Sequence, residues 1–158
     1  MPDQTPVQIA WVTRDLDATE TALTTLLGAK KWVRMAGVHF GPDTCTYRGK
    51  PADFVADISL SYAGDTQLEL IAPVRGESVY TEFLDRAGAG LHHICIEADD
   101  LDRALAERNA DVVQRGVVPG GMEFAYVCAE TSGVPYIEIA HISPEIRKFL
   151  DYVKREQA

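Results

Sequence analysis

Gln8-Ile9-Ala10-Trp11-Val12-Thr13-Arg14-Asp15-Leu16-Asp17 returns 85 positions later as His93-Ile94-Cys95-Ile96-Glu97-Ala98-Asp99-Asp100-Leu101-Asp102. Each stretch opens as an apolar run of strand character and closes on Asp-Leu-Asp. Helical spacing follows in both: Leu16, Leu23, Leu26 and Leu27 ahead of Gly28 in the first, and Leu101, Ala104 and Leu105 in the second. The Asp residues are expected as N-caps, accepting hydrogen bonds from amides of the first helical turn that have no partner inside the helix. Strand, cap and helix recurring together read as an internal duplication.

Working outward, residues 57–62 and 66–71 flank Ala63-Gly64-Asp65 and read as a hairpin, and residues 123–129 and 136–142 flank a longer turn in the same order. The last strands, Leu68-Glu69-Leu70-Ile71 and Ile137-Glu138-Ile139-Ala140, align at a shift of 69, so the first copy carries 16 extra residues. These fall within 31–53 and, with Gly37, Gly41, Pro42 and Gly49, are expected to form a loop-rich substrate lid. The pattern predicts one α+β domain over residues 1–158, made of two βαβββ modules in pseudo-twofold arrangement around a curved mixed sheet. Module one takes about 6–74, a Ser78-capped linker helix about 78–88, and module two about 90–142. A helix over about 143–156, with Ser143 as cap and Pro144 at its first position, completes the chain. Its apolar face, Ile146, Phe149, Leu150 and Val153, is expected to pack on its own domain or on a second subunit, and a homodimer is expected.

The composition bounds the partners. Net charge is −9 and the pI about 4.8, which argues against nucleic acid and anionic membrane. Cys45, Cys95 and Cys128 are odd in number and form no Cys-x-x-Cys pair, as suits reduced thiols in the cytoplasm. The opening Met1-Pro2-Asp3-Gln4-Thr5-Pro6 shows no signal-peptide pattern, and no apolar run is long enough to span a bilayer.

Four polar residues occupy equivalent places in the two copies: Gln8 and His93 at the start of the first strands, Glu69 and Glu138 within the last. Taken singly, a strand carboxylate sits on a solvated face and a strand histidine in a satisfied core. Taken as two pairs related by duplication, they converge in one cleft if the copies face each other. Two buried carboxylates there repel at a cost of several kcal/mol each. A divalent cation removes that cost, and the mixed N/O donor set suits zinc, manganese, cobalt, nickel or iron. His93, not His92, aligns with Gln8, and strand alternation is expected to send His92 the other way as a structural residue.

The stretches VQIAWVTRDLDAT, TQLELIAP, GLHHICIEADDLDRAL and YIEIAH, each within its strand-helix-strand setting, resemble the vicinal oxygen chelate superfamily from about Val7 to His141. That superfamily includes glyoxalase I, methylmalonyl-CoA epimerase, extradiol dioxygenases and bleomycin-resistance proteins. The segment 66–105 looks most like the epimerase, whereas the set Gln8, Glu69, His93, Glu138 is like that of glyoxalase I, since the epimerase has His where Gln8 stands. The resemblance implies a metal at these four residues and a small-molecule substrate with vicinal oxygens. It also implies proton transfer next to a carbonyl or thioester by an isomerase, epimerase or lyase, with Glu138 as both ligand and base. Asp53, or Asp57 on a slightly different alignment, falls near the epimerase's second catalytic carboxylate. The alternatives are an extradiol-type dioxygenase, disfavoured by one His with two Glu, and a metal-free binding protein. Arg34, Arg48, Lys50 and Arg75 are available to anionic substrate groups, and Tyr47, Phe54, Met122, Phe124 and Tyr126 to an apolar pocket.

Overall fold

Asp15 and Asp100 cap their helices as expected, accepting from the amides of Ala18 and Arg103 at 3.1 and 3.0 Å. In the computed structural model, which describes residues 4–158, these caps mark the same corner in each of two modules; Met1, Pro2 and Asp3 of the opening stretch lie outside the described residues. Module one comprises β1 (Pro6–Val12), α1 (Leu16–Leu27), β2 (Val33–Phe40), β3 (Cys45–Tyr47), β4 (Lys50–Pro51), β5 (Phe54–Ala63) and β6 (Thr66–Arg75). After α2 (Val79–Ala87), module two supplies β7 (Gly90–Glu97), α3 (Leu101–Glu107), β8 (Val112–Val117), β9 (Glu123–Cys128) and β10 (Tyr136–His141), and α4 (Pro144–Arg155) follows. Among the described residues no helix is long and apolar enough to cross a membrane.

One curved mixed sheet runs β2-β5-β6-β1-β7-β10-β9-β8-β3-β4. The duplicated first strands meet at its centre as an antiparallel pair, with Ile9 opposite Ile94, and each pairs in parallel with the last strand of its own module. The pseudo-twofold arrangement therefore follows from which strands are central. Alternation divides the core between two faces. Ile96, Val127 and Ile139 pack with Leu101 and Leu105 of α3 on one face. Their chain neighbours Cys95, Tyr126 and Ala140 join Phe40, Phe54, Tyr80 and Phe83 on the other, together with Leu150 and Val153 of α4.

The segment within 31–53 is not the loop-rich lid its glycines suggested. It forms β2, which pairs with β5, and then β3 and β4, and β3 crosses to module two, placing Cys45 opposite Gly116 of β8. Backbone donors and acceptors at the β8 edge supply partners that short-range turn signals do not reveal. A Cβ on Gly116 would lie 3.0 Å from the Cys45 sulfur, so glycine permits this close strand approach. The arm is fastened to α2 by Glu82, which accepts from Arg48 and from the Tyr47 hydroxyl. Helix α1 also departs from its pattern: only Leu23 is buried, and Leu26 is 75% exposed.

Candidate metal centre

The register of the central strands assembles the site. Ala10 of β1 lies opposite Glu69 on one side and His93 on the other, and its small side chain leaves room for the two to meet over it. Along the next rung, Gln8 is opposite Cys95, and Cys95 is opposite Glu138. All four expected residues thus reach one point. His93 Nε2 lies 3.1 Å from Gln8 Oε1, 3.4 Å from Glu69 Oε1 and 3.5 Å from Glu138 Oε1, and its ring is fully buried. Burial by itself lowers the pKa of His93, but the carboxylates of Glu138 and Glu69 outweigh it and push it up to about 9. Glu69 is pushed up by burial and by the charge of Glu138, with His93 opposing.

One imidazole thus faces three oxygens, two of them from carboxylates whose mutual repulsion a cation at the centre would relieve. Ligand atoms of Glu69, His93 and Glu138 all lie within 4.8 Å of one another. Bonds of about 2.0–2.2 Å to a zinc-sized ion set neighbouring donors roughly 3–3.5 Å apart, a spacing that the distances from His93 Nε2 to the three oxygens already match. Two carboxylates balance a dication, and the residues fit the group that the donor set suggested.

Each weakly directed ligand has an orienting partner. The Gln8 side-chain amide donates to Gln67 Oε1, which turns Gln8 Oε1 toward the centre. Gln67 was missed from sequence, although its i, i+2 spacing from Glu69 places both on the cleft face. His92 was expected to point away, and the structure corrects this. Ala10 pairs with His93 and Trp11 with Leu91, so His92 is the extra residue of a β-bulge, and alternation fails there. Its Nδ1 lies 2.8 Å from His93 Nδ1, and its ring is enclosed by Tyr80, Phe83 and Tyr136 at centroid distances of 5.4, 5.1 and 4.9 Å. Two nitrogens this close share one proton. When His93 Nε2 offers its lone pair to a cation, that proton sits on His93 Nδ1 and is donated to His92. Burial and the neighbouring His93 lower the pKa of His92, which keeps it a neutral acceptor.

Asp53 is not brought to this group. It is exposed at the start of β5, held by His39 at 2.6 Å and Arg75 at 3.3 Å, while its neighbour Phe54 turns into the core. Asp57 likewise accepts from the Gly37 amide at 2.7 Å. Alternation explains both: inward places on β5 go to Phe54, Ala56 and Ile58. Arg34 pairs with Asp17 and Glu20, Arg48 with Glu82, and Lys50 borders a separate groove on the arm. Phe54 stacks on Phe40 and Phe124 meets it edge-on, Tyr47 binds Glu82, and the hydroxyls of Tyr126 and Tyr80 share a hydrogen bond of 2.7 Å. Of the residues expected to line an apolar pocket, Met122 does so: it borders a cavity of about 510 Å³ that has Gln8, Gln67, Glu69 and Glu138 at one end and α4 as its roof.

The comparisons agree with this architecture. An uncharacterized Bacillus subtilis protein, YqjC, is 32% identical over 84 residues, covering 49% of this chain and 60% of its own length. The mitochondrial methylmalonyl-CoA epimerase of Mus musculus is 40% identical over 45 residues, 28% of this chain and 25% of that protein. The chain thus spans less than two thirds of either curated relative. Among solved structures, methylmalonyl-CoA epimerase from Mycobacterium tuberculosis superimposes with a TM-score of 0.62 at 19% identity, over 90% of this chain and 91% of that one. A hypothetical protein from Bacillus halodurans reaches 0.59 at 17% identity, over 89% and 96%. At these identities the superpositions establish the fold. Residues 7–126 match the family described as the Glyoxalase/Bleomycin resistance protein/Dioxygenase superfamily, and the chain belongs to that superfamily.

Proposed function

We propose that this protein is a divalent-metal-dependent isomerase, epimerase or lyase that moves a proton on the carbon next to a carbonyl or thioester. The convergence of Gln8, Glu69, His93 and Glu138 beside a cavity of about 510 Å³ carries the reading. A dication held by these residues supplies Lewis-acid stabilisation of the negative charge that develops on the substrate oxygens. Glu138, on the cavity wall, is the base that takes the α-proton, a role worth about 10²–10⁴-fold in rate. Gln67 and His92 hold Gln8 and His93 in the orientations this requires. The apolar side chains of the cavity reduce the water a bound substrate carbon meets, which favours transfer of the proton by Glu138. The epimerase likeness of the solved structures is consistent with such chemistry, and Asp53, on its exposed site, is left out of it.

Elemental analysis of protein purified without chelators tests the reading, repeated on Glu69→Ala and His93→Ala. One equivalent of a divalent metal is expected in the wild type and a loss in both variants. A metal-free wild type, or variants that keep a full equivalent, overturns it. Deuterium exchange into α-hydroxy carbonyl compounds and acyl thioesters then reports the proton transfer.

A further inference from the structure

We infer that the cavity beneath α4 takes a small, apolar carbonyl compound whole, with vicinal oxygens at one end and no charged carrier at the other. The oxygen-bearing end rests on the metal-dependent reading above; the rest stands on the cavity walls.

Away from the metal centre the walls carry an apolar surface that comes from all three parts of the chain: Met35, Val38 and Leu60 from module one, Met122 from module two, and Ile146 and Phe149 from α4. The volume of about 510 Å³ falls in the range that encloses a small organic ligand. The charges on the lining oppose an anionic body. Besides Glu69 and Glu138 it carries Asp65, Glu97 and Asp151, against Arg147 and Lys154. Both cations already face carboxylates: Arg147 pairs with Glu97, and Lys154 with Asp65 at 2.7 Å. Even with a dication at the centre the lining stays net negative. A nucleotide handle with several phosphates, leaving past this rim, meets repulsion where it needs cations.

The roof fits the same substrate. Ser143 Oγ donates to the Gly120 carbonyl at 2.8 Å where α4 begins. Beyond its end, the Gln157 side chain donates to the Lys31 carbonyl at 2.9 Å and accepts from the Lys30 and Lys31 amides at 3.0 and 3.1 Å. Between these ends the helix is held over the cavity by Leu150, Val153 and the two ion pairs. Ion pairs this exposed contribute little, so Leu150, Val153 and the terminal hydrogen bonds hold the roof, and Ile146 and Phe149 are the apolar face it offers a ligand.

Calorimetric titration of the purified protein with three series of increasing chain length tests this: straight-chain 2-hydroxy acids, 1-alkanols and saturated acyl-CoA thioesters. Affinity for the hydroxy acids and alkanols is expected to rise about threefold to fourfold per methylene. CoA thioesters are expected to bind at least about tenfold more weakly than the uncharged methyl thioesters of the same acyl chains, titrated alongside them. Met122→Trp and Val38→Trp, checked for unchanged metal content and thermal unfolding, narrow the cavity and flatten the rise for the longer probes. Flat chain-length dependence in the wild type, or tighter binding of the CoA thioesters, overturns the inference. Alkanols lack a chelating oxygen pair and report the walls alone. A metal-free protein that keeps the alkanol dependence therefore refutes the metal reading and leaves this inference standing, whereas a metal-loaded protein with flat dependence does the reverse.

Discussion

The two modules share one strand-and-helix plan yet divide the work unequally. Module one contributes Gln8, a neutral donor aimed by Gln67 through an amide hydrogen bond, whereas module two contributes His93, aimed by His92; Val7, the counterpart of His92, sits at an equivalent register shift but carries no group that could orient its neighbour. Their helices differ in the same direction. Helix α3 buries Leu101, Ala104 and Leu105 in seven residues, while the twelve of α1 bury Leu23 alone. Module one instead sends out the arm that closes the sheet on module two. The backbone positions of Gln8 and His93 stay equivalent in the two modules while packing and side-chain chemistry differ.

The largest expected effect separates the two donors at equivalent positions. His93→Ala abolishes stoichiometric metal uptake, whereas Gln8→Ala keeps the metal with weakened affinity, since two carboxylates and an imidazole remain. Equal losses in a chelator-competition assay would make the modules chemically equivalent after all. The helices should differ next. Leu105→Ala, at an 8% exposed site, costs about 2–5 kcal/mol of unfolding free energy, and Leu26→Ala changes it by less than about 0.5 kcal/mol; urea denaturation measures both.

The orienting partners come third. Gln67→Leu and His92→Phe each weaken metal binding by about 10–100-fold while leaving its stoichiometry intact. Nitrogen NMR of the metal-loaded protein should show the Nδ1 proton of His93 in the wild type and its altered environment in His92→Phe. The smallest effect concerns the arm. Arg48, followed by Tyr47, holds the pKa of Glu82 below the usual carboxylate value despite partial burial. A group with a depressed folded pKa stabilises above its unfolded value and loses that contribution as pH falls through the folded one. Glu82→Gln should therefore remove less than about 1 kcal/mol near neutral pH. The difference from wild type should shrink below about pH 4, as thermal melts across that range will show.

Much of this was legible in the sequence because the repeat puts residues at equivalent strand positions and so relates side chains far apart in the chain. Gln8, Glu69, His93 and Glu138 were paired by that logic, and the caps at Asp15 and Asp100 by local hydrogen bonding. The errors arose where a distant partner overrode the local signal. His92 followed strand alternation on paper, but the bulge against β1 turned it beside His93. The glycines of 31–53 read as loop, but the free edge of β8 drew Cys45 to Tyr47 into the sheet. Asp53 was carried over by alignment, and the inward place beside it went to Phe54.

The sequence by itself determined the paired modules and the equivalent positions of Gln8, Glu69, His93 and Glu138 in them, because strand periodicity and helix caps act over a few residues and the repeat carries them across the chain; the family followed from the resemblance of its motifs. Only the tertiary structure decided that α4 roofs the cavity, that the arm crosses between modules and that His92 lies behind His93. Each depends on which strand edge or apolar face is left uncovered once the sheet has formed, a property of the assembled surface that no local pattern contains.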